Sequence, residues 1–92
     1  RQYCVNILSQ EQKALSGRYA KKGDHALRAE EFTIGESGLP VLRHSLASFE
    51  CDMDARHDGG DHVILVGRVT HMTVATGGRP LVFYEGGYRE LV

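Results

Sequence analysis

The feature that most constrains the fold is a pair of long strand-like segments separated by a short glycine-rich stretch. From Ser45 to Ala55 apolar and polar residues alternate, a period that is typical of a strand with one buried and one solvated face. His62 to Val74 is a second strand-like run, and "RHDGGD" lies between the two. We therefore predict a loop over residues 56–61 and an antiparallel hairpin on either side of it.

The alternation also predicts which side chains of the first long strand face the core. The apolar set is expected on the buried face: Ala47, Phe49, Cys51, Met53 and Ala55. The polar set is expected in solvent: Ser48, Glu50, Asp52 and Asp54. We interpret these acidic residues as a solvated strand face, because nothing in the sequence supports paired carboxylates for acid–base chemistry.

The beginning of the sequence predicts a strand followed by one helix. The strand, Tyr3 to Leu8, reads "YCVNIL" and is rich in apolar and β-branched side chains. Ser9 and Gln12 have the spacing of a capping box, in which two residues satisfy otherwise unpaired N–H groups at a helix start. We expect the helix to end near Ala20, because two lysines and Gly23 follow it.

The remaining segments predict short strands joined by turns. "EEFTI" and "LVFY" have strand-like composition, "EGG" predicts a turn, and "YRELV" predicts a final strand. We interpret "GESGLP" as a turn region in which Pro40 excludes regular structure at its own position. Such regular turns indicate a sandwich or barrel, so the predicted fold class is mainly β, with antiparallel strands and one α-helix.

Composition narrows the classes of function. The 92 residues suit a single domain over 1–92, and the 12 acidic and 11 basic side chains form no basic stripe, so nucleic-acid binding is not indicated. No apolar run approaches the roughly 18 residues of a membrane span.

The chain opens "RQYC", without an initiator methionine or a signal peptide. We therefore expect a segment of a longer cytoplasmic protein, with Cys4 and Cys51 as buried thiols.

The titratable pair Asp61 and His62 stands at the start of the second long strand and is open to three interpretations. The glycines before Asp61 could form the hairpin turn with it, leaving His62 as a partly exposed strand residue. His57, Asp61 and His62 could bind a metal, although they lack the spacing of a zinc site and no cysteine pair joins them. His62 could instead line a ligand pocket, with Asp61 fixing its tautomer.

Four segments occur in the order and spacing of the flavin reductase family. "YCVNILSQEQKALSGRYA" resembles the family's strand-then-helix segment, and "GLPVLRHSLASFECDM" resembles its Gly-x-Pro-x-Leu stretch with the strand that ends in Glu-Cys. "GGDHVILVGRV" is similar to the family's most recognisable motif, and "RPLVFYEGGYREL" resembles its closing hairpin. Together these segments cover most of the chain and correspond to the C-terminal half of the family's domain.

The resemblance implies a fold, an activity and catalytic residues. The fold would be the C-terminal part of an FMN-binding split β-barrel, with the flavin bound at a homodimer interface. The activity would be reduction of FMN or FAD, with NADH or NADPH as the hydride donor and a separate monooxygenase as the partner. The implied catalytic residues are His62 and Asp61, which would position the reacting rings rather than move a proton. No metal is implied.

The resemblance also implies four cofactor-binding residues: Asn6, Ser9, Tyr84 and Tyr88. Asn6 and Ser9 lie where the strand ends and the helix starts, and a helix N-terminus favours a phosphate. Alternatively, Asn6 is only a polar strand residue and Ser9 is only a helix cap. The two tyrosines are expected either in the wall of the nicotinamide pocket or in barrel or dimer packing. For the chain as a whole, the alternative to a reductase is a non-catalytic flavin-binding or dimerisation module, because the family's N-terminal half carries most of the flavin contacts.

Overall fold

The computed structural model describes residues 1–23 and 25–91, which are mainly β-strand with one α-helix, as predicted. In chain order the elements are strand β1 (Gln2–Ile7), a 3-10 turn (Gln10–Gln12), helix α1 (Lys13–Ala20), a second 3-10 turn (Ala29–Glu31), and strands β2 (Phe32–Ile34), β3 (Pro40–Leu42), β4 (Ala47–Gly59), β5 (His62–Val74), β6 (Val82–Tyr84) and β7 (Gly87–Arg89). The described strands form three antiparallel sheets, in the orders β1-β4-β5, β2-β3 and β6-β7.

The long hairpin of β4 and β5 is confirmed, but its turn is shorter than predicted. The two strands pair from Ala47 opposite Val74 to Gly59 opposite His62. The prediction of a loop over residues 56–61 was wrong, because residues 56–59 continue β4 and only Gly60 and Asp61 form the turn. Gly60 has a φ of 76°, which glycine adopts without steric cost, so the chain reverses direction in two residues.

Two bulges interrupt the hairpin between its ends. Asp54 on β4 and Thr70 on β5 are each left out of the pairing register. An extra residue on one strand bends that strand and redirects the side chains that follow. Strict alternation therefore does not continue through the middle of β4.

The predicted solvated face of β4 was wrong for Ser48 and Glu50, which are only 4% and 6% exposed. The turn between β2 and β3 covers this face, because Ser37 in that turn donates hydrogen bonds to the Glu50 carboxylate from its backbone N–H and its hydroxyl. On the predicted core face, Cys51 is 5% exposed, whereas Phe49 is half-buried. The first half of β4 is thus covered on both faces, which sequence alternation alone does not reveal.

Pro40 takes part in regular structure, contrary to the prediction. It is the first residue of β3 and lies opposite Ile34 of β2. A proline is tolerated at the first position of a strand, where the missing N–H removes no essential ladder bond. The turn between the two strands is closed by a hydrogen bond from the Gly38 N–H to the Gly35 carbonyl, with Gly38 at a φ of 87°.

The predicted start and end of the helix are confirmed. The Ser9 N–H donates to Oε1 of Gln12 at 2.8 Å, which is the reciprocal half of the predicted capping box. A short 3-10 turn follows Ser9, and α1 then runs to Ala20. Within residues 1–23 and 25–91, no helix is long and apolar enough to cross a membrane.

Strand β5 leaves much apolar surface uncovered. Val63, Ile64, Leu65 and Val66 are consecutive and are 44–54% exposed. Successive side chains of a strand point to opposite faces, so both faces of β5 carry exposed apolar groups. Because β5 is also the outer strand of its sheet, one row of its backbone N–H and C=O groups has no partner strand among the described residues.

Candidate functional site

Asp61 and His62 form a hydrogen-bonded pair at the tip of the long hairpin. Nδ1 of His62 lies 2.5 Å from Oδ1 of Asp61, and the two side chains are 79% and 90% exposed. An ionised carboxylate only accepts hydrogen bonds, so Nδ1 carries the proton in this pair. In the neutral ring Nε2 is then the acceptor, and because the side chain is 79% exposed a ligand can reach it.

The residues of the metal interpretation are not assembled into a cluster. His57 lies on β4 opposite Ile64, further down the hairpin than the Asp61–His62 pair. Across the described ranges 1–23 and 25–91, no group of three or more His, Cys, Asp or Glu side chains could hold a metal ion. The chemistry at the tip is therefore that of a single imidazole oriented by one carboxylate.

Asn6 connects three strands. Its Oδ1 accepts a hydrogen bond from the Ser48 hydroxyl at 2.7 Å and one from the Leu42 N–H at 3.3 Å. It also lines a cavity of about 270 Å³ together with Cys4 and Tyr19. Its oxygen is thus committed to the fold, and a cofactor contact would have to come from the carboxamide nitrogen.

Both cysteines are free thiols, and one of them lies beside Asn6. Cys51 is buried, as expected, whereas Cys4 is half-buried. Partial burial raises the pKa of the Cys4 thiol, and the negative charge of Glu50 raises it further. Cys4 is therefore held as a neutral thiol rather than as a nucleophilic thiolate.

Ser9 is buried at the start of the helical segment. It is 4% exposed, its hydroxyl lies 3.4 Å from Oε1 of Gln12, and its backbone bridges to Pro80. A cavity of about 270 Å³ beside it is also lined by Gly78 and Arg79. Ser9 therefore has the predicted structural role, and Arg79 supplies a positive charge at the place where the phosphate was predicted.

Tyr84 and Tyr88 lie on different faces of the closing hairpin. Tyr88 stands opposite Phe83, with the two rings edge to face at 5.4 Å, whereas Tyr84 pairs with Gly87 at the neighbouring position. The Tyr88 hydroxyl is 2.7 Å from Oγ of Ser16, so Tyr88 packs against α1. Tyr84 is 62% exposed. The two tyrosines do not form a common wall within one chain.

Four of the predicted site residues, Asn6, Ser9, Asp61 and His62, fall into two groups at opposite ends of the hairpin. Asn6 lies opposite Ser48, and Ser48 lies opposite Thr73, so this group is near the C-terminal end of β5. His62 is the first residue of the same strand. Thr73 and His62 are 11 residues apart on β5, so at about 3.3 Å per residue the two groups are roughly 35 Å apart. One copy of the chain does not bring them together.

Glu50 is a candidate functional residue that the sequence did not indicate. It is buried and accepts a hydrogen bond from the Ser37 N–H at 2.9 Å and a second from the Ser37 hydroxyl. These bonds lower the pKa of Glu50, against the opposing effect of burial, and the charge of His71 lowers it further. Gly35 makes room for this carboxylate, because a Cβ at Gly35 would overlap it. No local sequence signal links a strand glutamate to a turn 13 residues earlier.

Glu50 lines a cavity between the β2–β3 hairpin and the long hairpin. This cavity has a volume of about 480 Å³, within the range of small-molecule sites. Its walls combine apolar side chains with a few polar ones, including Ile34, Val41, Arg43, Ser48, Glu50 and Val74. None of the six residues predicted from the sequence lines it.

Comparison with known proteins gives the family. Residues 1–92 match the flavin reductase like domain, and the chain belongs to that family. It is 36% identical over 86 residues to the reductase subunit HsaB of a flavin-dependent monooxygenase from Rhodococcus jostii, covering 94% of this chain and 44% of that protein. It is 37% identical over 86 residues to the NADH-dependent FMN reductase SmoA of Agrobacterium fabrum, covering 94% of this chain and 48% of that protein.

Solved structures confirm the fold. Nitrilotriacetate monooxygenase component B from Mycobacterium thermoresistibile superposes with a TM-score of 0.90 at 31% identity, over 99% of this chain and 52% of that chain. The architecture is therefore part of the flavin reductase split barrel, as the resemblance implied. The chain spans about half the length of the curated relatives that it matches.

Proposed function

We propose that this chain is part of an NAD(P)H-dependent flavin reductase, which reduces FMN or FAD and supplies the reduced flavin to a monooxygenase. The observation that carries the proposal is the family match over residues 1–92, together with 36–37% identity to relatives that are named for this activity. We further propose a cytoplasmic location, where reduced nicotinamide nucleotides are available.

Hydride transfer requires the protein to align the two rings and does not require a strong acid or base. Hydride passes directly from the nicotinamide to the flavin when the reacting atoms are held roughly 3–3.5 Å apart. The Asp61–His62 pair suits this task, because its hydrogen bond fixes the tautomer and leaves Nε2 of His62 as an acceptor for an amide N–H. We assign His62 as the positioning residue and Asp61 as the residue that orients it.

The separation of the predicted site residues favours a homodimer. Asn6 and Ser9 lie at one end of β5 and His62 at the other, so a site that uses both groups needs the hairpin tip of a second copy. The exposed apolar side chains of β5 and its unpaired edge provide surface for such an association. Size-exclusion chromatography with light scattering should show a dimer or larger, and a stable monomer at micromolar concentration would contradict this assignment.

Mixed dimers test the composite site directly in the longer parent protein. Asn6→Ala removes one group and His62→Ala removes the other, so each variant alone should have low activity. When the two variants are mixed and allowed to exchange subunits, half of the dimers are hybrids, and each hybrid has one intact site. Activity should return to about a quarter of the parental value. No recovery, despite exchange shown by differently tagged subunits, would place all the residues of a site in one copy.

A second candidate is a non-catalytic flavin-binding or dimerisation module. It is favoured by the fact that the chain spans about half the length of its relatives. Anaerobic addition of NADH separates the two candidates: a yellow flavin complex that bleaches is a reductase, and one that stays yellow is a binding module. A colourless preparation of residues 1–92 beside a yellow parent protein would show that flavin binding needs more of the polypeptide.

A further inference from the structure

The cavity beside Glu50 has a chemistry that selects one kind of ligand. The ionised carboxylate of Glu50 lines it and would repel an anion. Arg43 lines the same cavity and would repel a cation, and Glu36 adds a second carboxylate to the wall, so the charges of both signs largely offset one another. Apolar side chains of β2, β3 and β5 form much of the remaining wall. A neutral, partly apolar ligand that carries hydrogen-bond donors fits this combination best.

Glu50 retains capacity to accept a further hydrogen bond. An ionised carboxylate has about four acceptor positions. Both hydrogen bonds from Ser37 go to Oε1, and the Glu36 N–H adds a third contact to the carboxylate. About one of the four acceptor positions is therefore left for a donor that enters the cavity, and it lies on the carboxylate of a residue that lines the cavity. The Ser37 contacts hold the carboxylate in place, so a ligand would meet an acceptor that is already oriented.

We propose that this cavity binds the amide- or imide-bearing edge of a planar heteroaromatic ring, and that Glu50 accepts a hydrogen bond from its N–H group. The inference rests on the proposed function, which supplies two rings of this chemistry. The nicotinamide ring carries a carboxamide, and the pyrimidine ring of the flavin carries an imide N–H. The structure thus assigns Glu50 as a specificity-determining residue at a place that no sequence motif marks.

Ligands that lack the N–H group provide the test. In 3-acetylpyridine adenine dinucleotide a methyl ketone replaces the carboxamide of NAD, and in N3-methyl-FMN a methyl group replaces the imide hydrogen. Dissociation constants are measured by calorimetry in the longer parent protein. We expect one of the two natural ligands to bind about tenfold more tightly than its analogue, the scale of one hydrogen bond to a charged acceptor. The ligand that shows the difference is the one that reaches Glu50.

Glu50→Gln should abolish that preference. Its Oε1 would stay on the Ser37 donors, which places an NH2 group where the second oxygen stood and removes the acceptor. The affinity for the natural ligand divided by the affinity for its analogue should fall to about one. Asp52→Asn is the matched control, because Asp52 is a carboxylate on the same strand that lies outside the cavity and contacts Arg68 at 3.4 Å. That variant should keep the parental ratio.

A second variant provides an independent test in case Glu50→Gln does not fold. Gly35→Ala leaves every charge unchanged, but its methyl group would push on the Glu50 carboxylate, so it should also reduce the ratio. Equal affinities for both natural ligands and their analogues in the parent protein would overturn the proposal. An unchanged ratio in folded Glu50→Gln or Gly35→Ala protein would do the same.

The binding measurements also separate this proposal from the proposed function. The affinities are measured without turnover. A parent protein that binds the natural ligand more tightly through Glu50 but does not reduce flavin would support the role of Glu50 and contradict the reductase activity. A parent protein that reduces flavin with no discrimination through Glu50 would do the opposite.

Discussion

Two carboxylates on the same hairpin have opposite environments. Glu50 lies in β4 beneath the turn between β2 and β3 and is 6% exposed, whereas Asp61 lies at the hairpin tip and its side chain is 90% exposed. Both accept hydrogen bonds, from the Ser37 N–H at 2.9 Å and from Nδ1 of His62 at 2.5 Å, so the presence of a partner does not distinguish them. Burial does, because water competes for the exposed pair and not for the buried one. The buried carboxylate is held in one orientation by the protein, whereas the orientation of the exposed pair rests on a single contact with water on all sides.

The largest expected effect concerns activity at the exposed tip. His62→Ala in the longer parent protein should lower the rate of flavin reduction by about 10–100-fold, the scale of a lost orienting contact. His62→Asn should recover part of the loss, because it keeps a hydrogen bond and no proton has to move. Asp61→Asn should have a smaller effect, through orientation alone. The measurement is anaerobic stopped-flow reduction of bound flavin by NADH.

His57→Ala is the control for that series, since His57 is another exposed histidine of the same hairpin. It should reduce flavin at the parental rate. If His62→Ala matches the parental rate with unchanged NADH affinity, the Asp61–His62 pair is only a hairpin turn.

For stability we expect the buried carboxylate, Glu50, to matter more than the exposed one, Asp61. Glu50→Ala leaves the Ser37 N–H and hydroxyl without their acceptor beneath a covered face, so the thermal midpoint should fall by several degrees. Asp61→Ala changes a solvated tip and should shift the midpoint by no more than about 1–2 °C. Thermal unfolding followed by circular dichroism compares the two variants. A larger loss for Asp61→Ala would mean that the tip is covered in the assembled protein.

Acid should destabilise the protein partly through Glu50. Hydrogen bonds from Ser37 lower the pKa of Glu50, and the Arg18 guanidinium lowers the pKa of Glu31 to about 2. A carboxyl group whose folded pKa is depressed stabilises the fold fully above its unfolded pKa, near 4.5. That contribution is lost as the pH falls below about 4.5, and for Glu31 the loss extends to about pH 2.

Glu50→Gln should therefore make the unfolding midpoint depend less on pH in this window. Ser37→Ala should have an intermediate effect, because the hydroxyl contact is lost while the backbone N–H remains. Urea unfolding between pH 2 and pH 6 gives the comparison. An acid dependence identical in all three proteins would contradict the prediction, because the pKa of Glu50 would then be the same in the folded and the unfolded chain.

Ser9 lies near the buried end of the hairpin, at the start of the helical segment. Ser9→Ala should cost about 1 kcal/mol of stability through the helix start. If the segment also meets a phosphate, FMN binding in the parent protein should weaken while riboflavin binding barely changes. Equal weakening for both flavins would exclude the phosphate role and leave Ser9 as a cap.

The parts of the fold that sequence could predict are those that depend on local patterns. The long hairpin, β1 and the Ser9–Gln12 helix start each follow from residues close together in the chain, and each is confirmed. The burial of Glu50 was not predictable in this way. It depends on a turn that reaches β4 only after the chain has folded, and on Gly35, whose missing side chain makes room for the carboxylate.

The same reasoning explains what the sequence could say about the site. The motif around Asp61 and His62 identified the pair, and the structure shows their hydrogen bond. The distance between the tip and Asn6 was not predictable, because it depends on β4 continuing to Gly59 instead of ending near Ala55. Whether the six residues contact flavin or nicotinamide stays a prediction.

The paired bulges of the long hairpin have a consequence for how this sequence can evolve. Asp54 adds one residue to β4 and Thr70 adds one to β5, so the two insertions compensate and the strands leave the region in the register in which they entered. Deleting either residue alone would shift one end of the hairpin and turn its side chains to the other face. Deleting both would preserve the register. The two positions are therefore epistatic, and a lineage that loses one bulge is under selection to lose or rebuild the other.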